Sequence, residues 1–333
     1  MVSSIAATPK AQTKRATYSP AYTLVPTYEC FNRCTYCNFR VDPGQDEWLS
    51  LAVAEARLRE LQSQGVIEIL VLSGEVHPHS PNRSIWFQRI YDLCELALDL
   101  GFLPHTNAGI LQFEEMAQLK AVNVSMGLML EQMTSTLLES VHRHAPSKVP
   151  AVRLQQLEWA GELQIPFTTG LLLGIGETEA DRLTTLETIA QVHHRYKHIQ
   201  EVILQPHCPG HSQAWEGEAF SPETLVRVVQ MARKLLPHDI TIQIPPNLVP
   251  APEHLSACLE AGATDLGGIG PKDEVNPDYP HPHDAALTMT LNHLGWQLQP
   301  RLPIYPQYDS WLSDRLQIAV RVWRDRLTPQ SDQ

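Results

Sequence analysis

Short apolar runs alternate with amphipathic stretches along most of the chain. The runs are rich in valine, isoleucine and leucine and are almost uninterrupted, which is typical of strands buried on both faces of a parallel sheet. The stretches between them repeat apolar residues at the spacing of one helix face. The pattern therefore predicts eight strand-then-helix units, whose strands begin near residues 22, 66, 103, 122, 167, 201, 240 and 264.

The same periodicity predicts the helices of these units. Ser221 is predicted to cap the helix that begins at Pro222, because a serine oxygen accepts a hydrogen bond from the first turn. The predicted ranges are 48–64, 84–100, a short segment near 113, 149–163, 179–192, 222–236, 252–261 and 284–294.

The order of these elements predicts an α/β fold, a (β/α)8 barrel of the TIM type. The units repeat every roughly 35 residues, a normal length for a βα unit, and eight of them can close a barrel. A doubly wound open sheet is the alternative, since the third and eighth predicted strands are short and contain polar residues. In a barrel, chemistry gathers at the carboxyl ends of the strands.

No shift in composition marks a domain boundary, so residues 19–327 are predicted to form a single barrel domain. Residues 1–18 and 328–333 offer little to bury and are predicted to be mobile tails. The N-terminus lacks the apolar run of a signal peptide, and no stretch of about 18 apolar residues is present. We therefore expect a cytoplasmic protein that has no membrane partner.

Charge and cysteine content narrow the function. The 333 residues carry 25 Lys and Arg against 37 Asp and Glu, a net charge of −12, which argues against a nucleic-acid partner. Three of the six cysteines, Cys30, Cys34 and Cys37, fall within eight positions. A disulfide framework spreads its cysteines more widely, so this cluster indicates a metal or redox site in a reducing compartment.

The cysteine cluster has the spacing C-x3-C-x2-C and directly follows the first predicted strand. Structural zinc sites normally use four ligands in two spaced pairs, and no second pair follows. A [4Fe–4S] cluster normally takes four cysteines, so three leave one iron open to a substrate or cofactor. A zinc site or three unrelated thiols remain as alternatives. Cys94, Cys208 and Cys258 are expected to be structural.

With an aromatic residue before its last cysteine, the segment C-F-N-R-C-T-Y-C at 30–37 resembles the signature of the radical S-adenosylmethionine (SAM) superfamily. The resemblance implies that Cys30, Cys34 and Cys37 hold a [4Fe–4S] cluster whose open iron binds SAM. It also implies SAM contacts from the cysteine loop, from a G-E turn at 74–75 and from later strand ends. The residues so implicated are Tyr36, Ser73, Gly74, Glu75, Glu131, Arg153 and Gly174.

Later stretches resemble a narrower family, the first subunit of the synthase that forms the deazaflavin FO, 7,8-didemethyl-8-hydroxy-5-deazariboflavin. They include I-P-F-T-T-G-L-L-L-G-I-G-E-T at 165–178, I-P-P-N-L at 244–248, D-L-G-G-I at 265–269 and R-L-P-I-Y-P at 301–306. The likeness covers roughly residues 20–325. Segments 205–209 and 267–274 depart from the family pattern where substrate is expected.

This resemblance implies a radical SAM carbon–nitrogen lyase. Its substrate would be 5-amino-5-(4-hydroxybenzyl)-6-(D-ribitylimino)-5,6-dihydrouracil, made by a sister subunit, and a low-potential donor would supply an electron. A 5′-deoxyadenosyl radical would take a hydrogen atom from the hydroxybenzyl group, a third ring would close, ammonia would leave, and oxidation would complete the aromatic product. Barrel geometry adds candidate substrate contacts near strand ends. They are Asn107, Thr168, Thr169, Gln205, Asn247 and Asp265.

Other functions remain open on the sequence. The chain could be the sister subunit, a dehypoxanthine futalosine cyclase or a relative of biotin synthase. Biotin synthase uses a second cluster, for which Cys94, Cys208 and Cys258 form no obvious set. A zinc-stabilised barrel without catalytic activity is the alternative outside the superfamily.

Overall fold

The computed structural model describes residues 14–249 and 251–328, and nine strands in this part of the chain form one sheet. Most predicted strands are found within a few residues of their expected bounds. In chain order the strands are β1 (Lys14–Leu24), β2 (Glu68–Leu72), β3 (Leu103–Asn107), β4 (Ser125–Gly127), β5 (Phe167–Leu173), β6 (Ile199–Pro206), β7 (Thr241–Gln243), β8 (Asp265–Ile269) and β9 (Trp296–Pro300).

A helix follows each of the first eight strands along the chain, and a further helix follows β9. The predicted cap at Ser221 is confirmed, since its side-chain oxygen accepts a hydrogen bond from the Thr224 backbone N–H at 3.2 Å. The helices are α1 (Leu51–Leu61), α2 (Arg83–Asp99), α3 (Phe113–Leu119), α4 (Pro150–Glu162), α5 (Glu179–Tyr196), α6 (Pro222–Leu235), α7 (Pro252–Glu260), α8 (Asp284–His293) and α9 (Asp314–Leu327).

Strands β1 to β8 form a closed barrel. They pair in sequence order and in parallel, and β1 pairs with both β8 and β2. Thr17 lies opposite Asp265 at the first junction, and Tyr22 lies opposite Ile69 at the second. The predicted (β/α)8 barrel is therefore confirmed, and the alternative of an open sheet is wrong.

The N-terminal boundary differs from the prediction. The sequence predicts a tail through residue 18, yet Lys14–Tyr18 form the first part of β1 and pair with β9 from Lys14↔Trp296 to Tyr18↔Pro300. The polar K-R-A-T-Y segment becomes a strand because β9 lies beside it, and the pattern predicts neither β9 nor α9. At the other end, Thr328 caps α9. The remaining residues of both predicted tails, 1–13 and 329–333, lie outside the described part of the chain.

The segment from residue 301 to 327 covers the amino end of the barrel. Its side chains pack on Ile67, Leu103 and Val124, which precede or begin β2, β3 and β4. This arrangement leaves the carboxyl ends of the strands free for a site. The buried side chains of the segment are Leu302, Ile304, Tyr308, Leu312, Leu316 and Val320. In the described residues, no helix combines the length and apolar character needed to cross a membrane.

Candidate active site at the cysteine loop

The loop that carries the three cysteines lies between β1 and α1 and is tied to its neighbours by backbone hydrogen bonds. The N–H of Arg33 donates to the His144 carbonyl at 2.7 Å, and that of Thr35 donates to the Val141 carbonyl at 3.1 Å. The Thr35 carbonyl in turn accepts from the N–H groups of Ala214 and Trp215, at 2.9 and 2.8 Å. Segments that follow β4 and β6 thus fix the shape of a loop that contains no regular structure.

All three thiols of this loop line one cavity at the carboxyl end of the barrel and form no disulfide. Burial, followed by the charge of Glu75, raises the pKa of Cys30 to about 11. Burial also raises the pKa of Cys34 to about 12, although Lys148 opposes the change. The protein alone therefore keeps these two thiols protonated, and iron binding would displace their protons.

The three thiols lie on the wall of one cavity without forming a site for a single metal ion among them. Among the described residues, no group of three or more His, Cys, Asp or Glu side chains has the arrangement that holds a single metal ion. A [4Fe–4S] cluster uses its ligands differently from a single zinc ion, because each thiolate binds a different iron.

The turn after β2 packs directly against the cysteine loop. The N–H of Gly74 donates to the Thr27 carbonyl at 2.9 Å, and the N–H of Phe31 donates to the Glu75 carbonyl at 3.0 Å. A Cβ on Gly74 would lie 2.1 Å from the Glu29 carbonyl oxygen, so only glycine allows this approach. The turn therefore places the Glu75 side chain beside the cysteines.

Glu131 joins the cysteine loop to the segment that follows β4. Its carboxylate accepts a hydrogen bond from the Tyr36 hydroxyl at 2.6 Å and lies 3.1 Å from Nε2 of His142. Lys148 forms an ion pair with the same carboxylate, and Arg153 lies 3.7 Å from it. The Glu131 backbone has a φ of 65°, a left-handed conformation that is uncommon outside glycine and costs about 1 to 3 kcal/mol. The surrounding contacts hold it in place.

The charge on Glu131 is stabilised by its neighbours. Burial alone would raise the pKa of this carboxyl. Lys148, a hydrogen bond from His142 and the charge of Arg153 outweigh burial and hold its pKa well below the usual range. Burial, followed by the charge of Glu131, raises the pKa of Tyr36 well above its usual value, so its hydroxyl stays a donor.

We call the cavity that the three thiols line the upper cavity. A carboxylate and a guanidinium lie side by side on its wall. Arg153 Nη1 is 4.0 Å from Glu75 Oε1, and both side chains are more than nine-tenths buried. Such a pair is complementary to the ammonium and carboxylate groups of a free amino acid. The upper cavity can therefore receive the amino-acid end of SAM next to the three thiols.

Six of the seven residues predicted to contact SAM line this upper cavity, and Gly174 does not. Gly174 forms the turn before α5, where its N–H donates to Oε1 of Glu177 at 2.8 Å and a Cβ would meet the ring of Phe220 at 2.8 Å. The six that the fold brings together with the cysteines are Tyr36, Ser73, Gly74, Glu75, Glu131 and Arg153.

Three of the six candidate substrate contacts line a cavity, and the other three do not. Asn107 and Gln205 line both the upper cavity and a lower cavity that continues into the barrel, and Thr168 lines the lower one. The other three do not line either cavity. The Thr169 hydroxyl accepts from the Leu130 N–H at 3.2 Å, Asn247 donates to Asp273 at 2.8 Å, and Asp265 pairs with Arg301 at 2.6 Å.

The structure adds residues that the sequence reasoning missed. Lys148 and His142 surround Glu131, and no local motif marks either of them. Glu68 and Glu201 line the lower cavity. Their signal was present, because each is the single charged residue of its strand, and a buried carboxylate usually has a specific role.

Comparisons with known proteins agree with this geometry. The family model described as the radical SAM superfamily matches residues 24–189. A 7,8-didemethyl-8-hydroxy-5-deazariboflavin synthase from Trichormus variabilis is 69% identical over 310 residues, which covers 93% of this chain and 91% of the relative. One from Gloeobacter violaceus is 60% identical over 314 residues, which covers 94% of this chain and 97% of the relative.

Solved structures share the fold at much lower identity. The [FeFe]-hydrogenase maturase HydG matches with a TM-score of 0.73 and 16% identity, over 92% of this chain and 69% of that one. Methylornithine synthase (PylB) matches with a TM-score of 0.66 and 14% identity, over 90% of this chain and 86% of that one. The cysteine motif, the closed barrel and the relatives together show that the chain belongs to the radical SAM superfamily and, within it, to the family of 7,8-didemethyl-8-hydroxy-5-deazariboflavin synthases.

Proposed function

We propose that this chain forms FO from 5-amino-5-(4-hydroxybenzyl)-6-(D-ribitylimino)-5,6-dihydrouracil by radical SAM chemistry, with release of ammonia. The observation that carries the proposal is the identity of 69% over 93% of the chain to a synthase of that name. The cavity that leads from the cysteines into the barrel supports it, because it offers room for a cofactor and a substrate in contact.

Cys30, Cys34 and Cys37 would hold a [4Fe–4S] cluster. When bound, the cluster supplies the electron that cleaves SAM to methionine and the 5′-deoxyadenosyl radical. Backbone hydrogen bonds to segments after β4 and β6 would hold the loop that carries these cysteines. Lys148 favours the thiolate form of Cys34 that iron requires.

SAM would bind across the upper cavity. Glu75 would accept hydrogen bonds from its ammonium group, and Arg153 would bind its carboxylate. Glu131 already accepts from Tyr36 and Lys148, so its role would be to orient these side chains. Tyr36, Ser73 and Gly74 would form the remaining wall, and Gly174 would shape the neighbouring turn without touching the cofactor.

The substrate would occupy the space below SAM, with its hydroxybenzyl group facing the upper cavity. Asn107, Gln205 and Thr168 would contact it. Thr169, Asn247 and Asp265 would support the walls from behind, through the hydrogen bonds and the ion pair that they make. Removal of ammonia makes the reaction a carbon–nitrogen lyase reaction. A sister subunit would supply the substrate, and a low-potential reductant would supply the electron.

The test uses anaerobically reconstituted full-length protein with SAM, dithionite and the product of the sister subunit. We expect a fluorescent deazaflavin, together with 5′-deoxyadenosine, methionine and ammonia. Tyrosine and the ribityl-uracil, the substrates of the sister subunit, should give no coupled product. Cleavage of SAM without formation of a deazaflavin would overturn the proposal.

A further inference from the structure

The lower cavity continues from the upper one toward the amino end of the barrel. Apolar side chains and three amides line the passage between the two cavities, which is formed by Leu70, Leu72, Met129, Ile203, Val275, Asn107, Gln205 and Asn276. Glu68 lies four residues before Leu72 on β2, which places it roughly 13 Å away along the strand at about 3.3 Å per residue. The cavity is therefore deep, and its middle section combines apolar walls with amide groups.

The floor of this cavity is polar and is held in place by Arg301. This guanidinium forms ion pairs with both Glu201 and Asp265. Glu201 also accepts from the Thr168 hydroxyl at 3.0 Å and from the Tyr305 hydroxyl at 3.1 Å. Because these groups already have partners, they form a rigid floor and leave little hydrogen-bonding capacity for a ligand.

Glu68 is different, because among the described residues it forms no ion pair. It is 7% exposed and lines the lower cavity. Its polar neighbours are the charge of Arg301 and the hydroxyl of Ser19, and a single hydroxyl can use only part of the acceptor capacity of a carboxylate. Burial raises the pKa of Glu68, and Arg301 offsets this only in part. A buried carboxyl that lines a cavity and keeps unused acceptor capacity can bind a donor from a ligand.

His105 provides a second free acceptor. The Ser125 hydroxyl donates its only hydrogen to the Pro303 carbonyl at 2.5 Å, so Nδ1 of His105, 2.7 Å from the same oxygen, must carry a hydrogen. Burial, followed by Arg301, lowers the pKa of His105 to about 3 and keeps the ring neutral. Nε2 is therefore an acceptor, beside Gly127 on the cavity wall.

We propose that the lower cavity binds the ribityl chain, with Glu68 and His105 as the acceptors that recognise its hydroxyl groups. This inference rests on the proposed function and adds an orientation to it. The pyrimidine ring lies in the middle section, between apolar side chains and the amides of Asn107 and Gln205. The hydroxyl-rich chain points to the floor, and the hydroxybenzyl group lies near the cysteines. Two acceptors with unused capacity suit a polyol, whose hydroxyls each donate one hydrogen bond.

The test measures equilibrium binding of the fluorescent product FO and of an analogue that carries a methyl group in place of the ribityl chain. Binding needs no turnover, so it reports the subsite separately from catalysis. We expect wild-type protein to bind FO more tightly than the analogue. Glu68→Ala and His105→Ala should each weaken FO binding by about 10- to 100-fold, as for the loss of a hydrogen bond at a buried group, and should leave analogue binding within about twofold.

Glu60→Gln, an exposed carboxylate on α1, is the matched control and should bind both ligands as wild type does. Glu68→Ala should fold, since it leaves no charged partner behind. An equal loss for FO and the analogue, or no loss for either, would overturn the orientation. A wild-type protein that binds FO with this preference but forms none from the substrate would refute the proposed reaction alone.

Discussion

The Tyr36 hydroxyl donates a hydrogen bond of 2.6 Å to the Glu131 carboxylate, and this contact joins the cysteine loop to the end of β4. Tyr36 lies between Cys34 and Cys37, so the bond fixes the backbone that presents two of the three thiols. Nε2 of His142 lies 2.9 Å from the same hydroxyl. The position of the cysteine loop therefore depends on a buried carboxylate 95 residues away.

Tyr36→Phe removes this hydrogen bond and keeps the ring. A hydrogen bond to a charged group contributes about 1.5 to 3 kcal/mol, so we expect the free energy of unfolding of the apoprotein to fall by about 2 kcal/mol. Urea unfolding measures the change. Tyr91→Phe, a half-buried tyrosine on α2, is the control and should change stability less. Equal losses of unfolding free energy in both variants would show that the Tyr36 hydrogen bond contributes no more to stability than the Tyr91 hydroxyl does.

Cys34→Ala should abolish the iron–sulfur cluster, since three thiolates are needed to hold three irons. The variant should purify without the brown colour and the broad visible absorbance of the reconstituted wild type, and iron analysis should find little metal. Cys258→Ala, a buried cysteine on α7, is the matched control and should retain iron. Full iron content in Cys34→Ala, or zinc in the wild-type protein, would contradict the ligand assignment.

Lys148→Met leaves the buried Glu131 carboxylate without its ion-pair partner. Removal of one member of a buried pair typically destabilises by about 3 to 5 kcal/mol, and His142 and Arg153 should reduce this to about 3 kcal/mol. Urea unfolding of the apoprotein measures the loss. The double variant Lys148→Met/Glu131→Gln should recover part of the stability, whereas strictly additive losses would argue against coupling between the two residues.

His198 predicts a pH dependence of stability. Its ring is fully buried, and burial followed by the charge of His193 lowers its pKa to about 3, although the backbone of Leu157 opposes the change. In the unfolded chain its pKa is about 6.5. Between that pH and about 3, the imidazole is protonated in the unfolded state and neutral in the folded state. This group therefore destabilises the protein as pH falls from about 6.5 to about 3, by about 1.4 kcal/mol per unit.

His198→Leu should remove this contribution. Its stability advantage over wild type should grow by about 3 kcal/mol between pH 6.5 and pH 4, measured by urea unfolding at each pH. His238→Gln, an exposed histidine before β7, should follow the wild-type pH dependence. A constant difference between His198→Leu and wild type across this range would show that His198 is protonated in the folded state.

The local pattern of apolar and polar residues was sufficient to predict most strands of the barrel. Apolar runs such as Val66–Leu72 predict strands because a strand inside a helical shell is buried on both faces. The pattern of apolar and polar residues fails where a segment becomes a strand only because it pairs with a neighbouring strand. Lys14–Tyr18 is polar, and W-Q-L-Q-P at 296–300 is short, yet each becomes a strand beside the other. Neither segment carries this information in its own composition.

The sequence by itself determined the α/β class, its eight strand-then-helix units and the three-cysteine loop. These follow from periodicity and spacing, which are properties of neighbouring residues. The strand-end residues Ser73, Gly74 and Glu75 came from the family resemblance, and the closure of the sheet came from the pairing of β1 with β8 and β2. Only the tertiary structure decided which charged groups lie close enough to form ion pairs. Lys148, His142 and Arg153 surround Glu131, and Arg301 reaches Glu201 across 100 residues of chain, while Asp265 turns away from both cavities to pair with it. Ion pairs form between groups that folding brings together in space, and no local pattern encodes that distance.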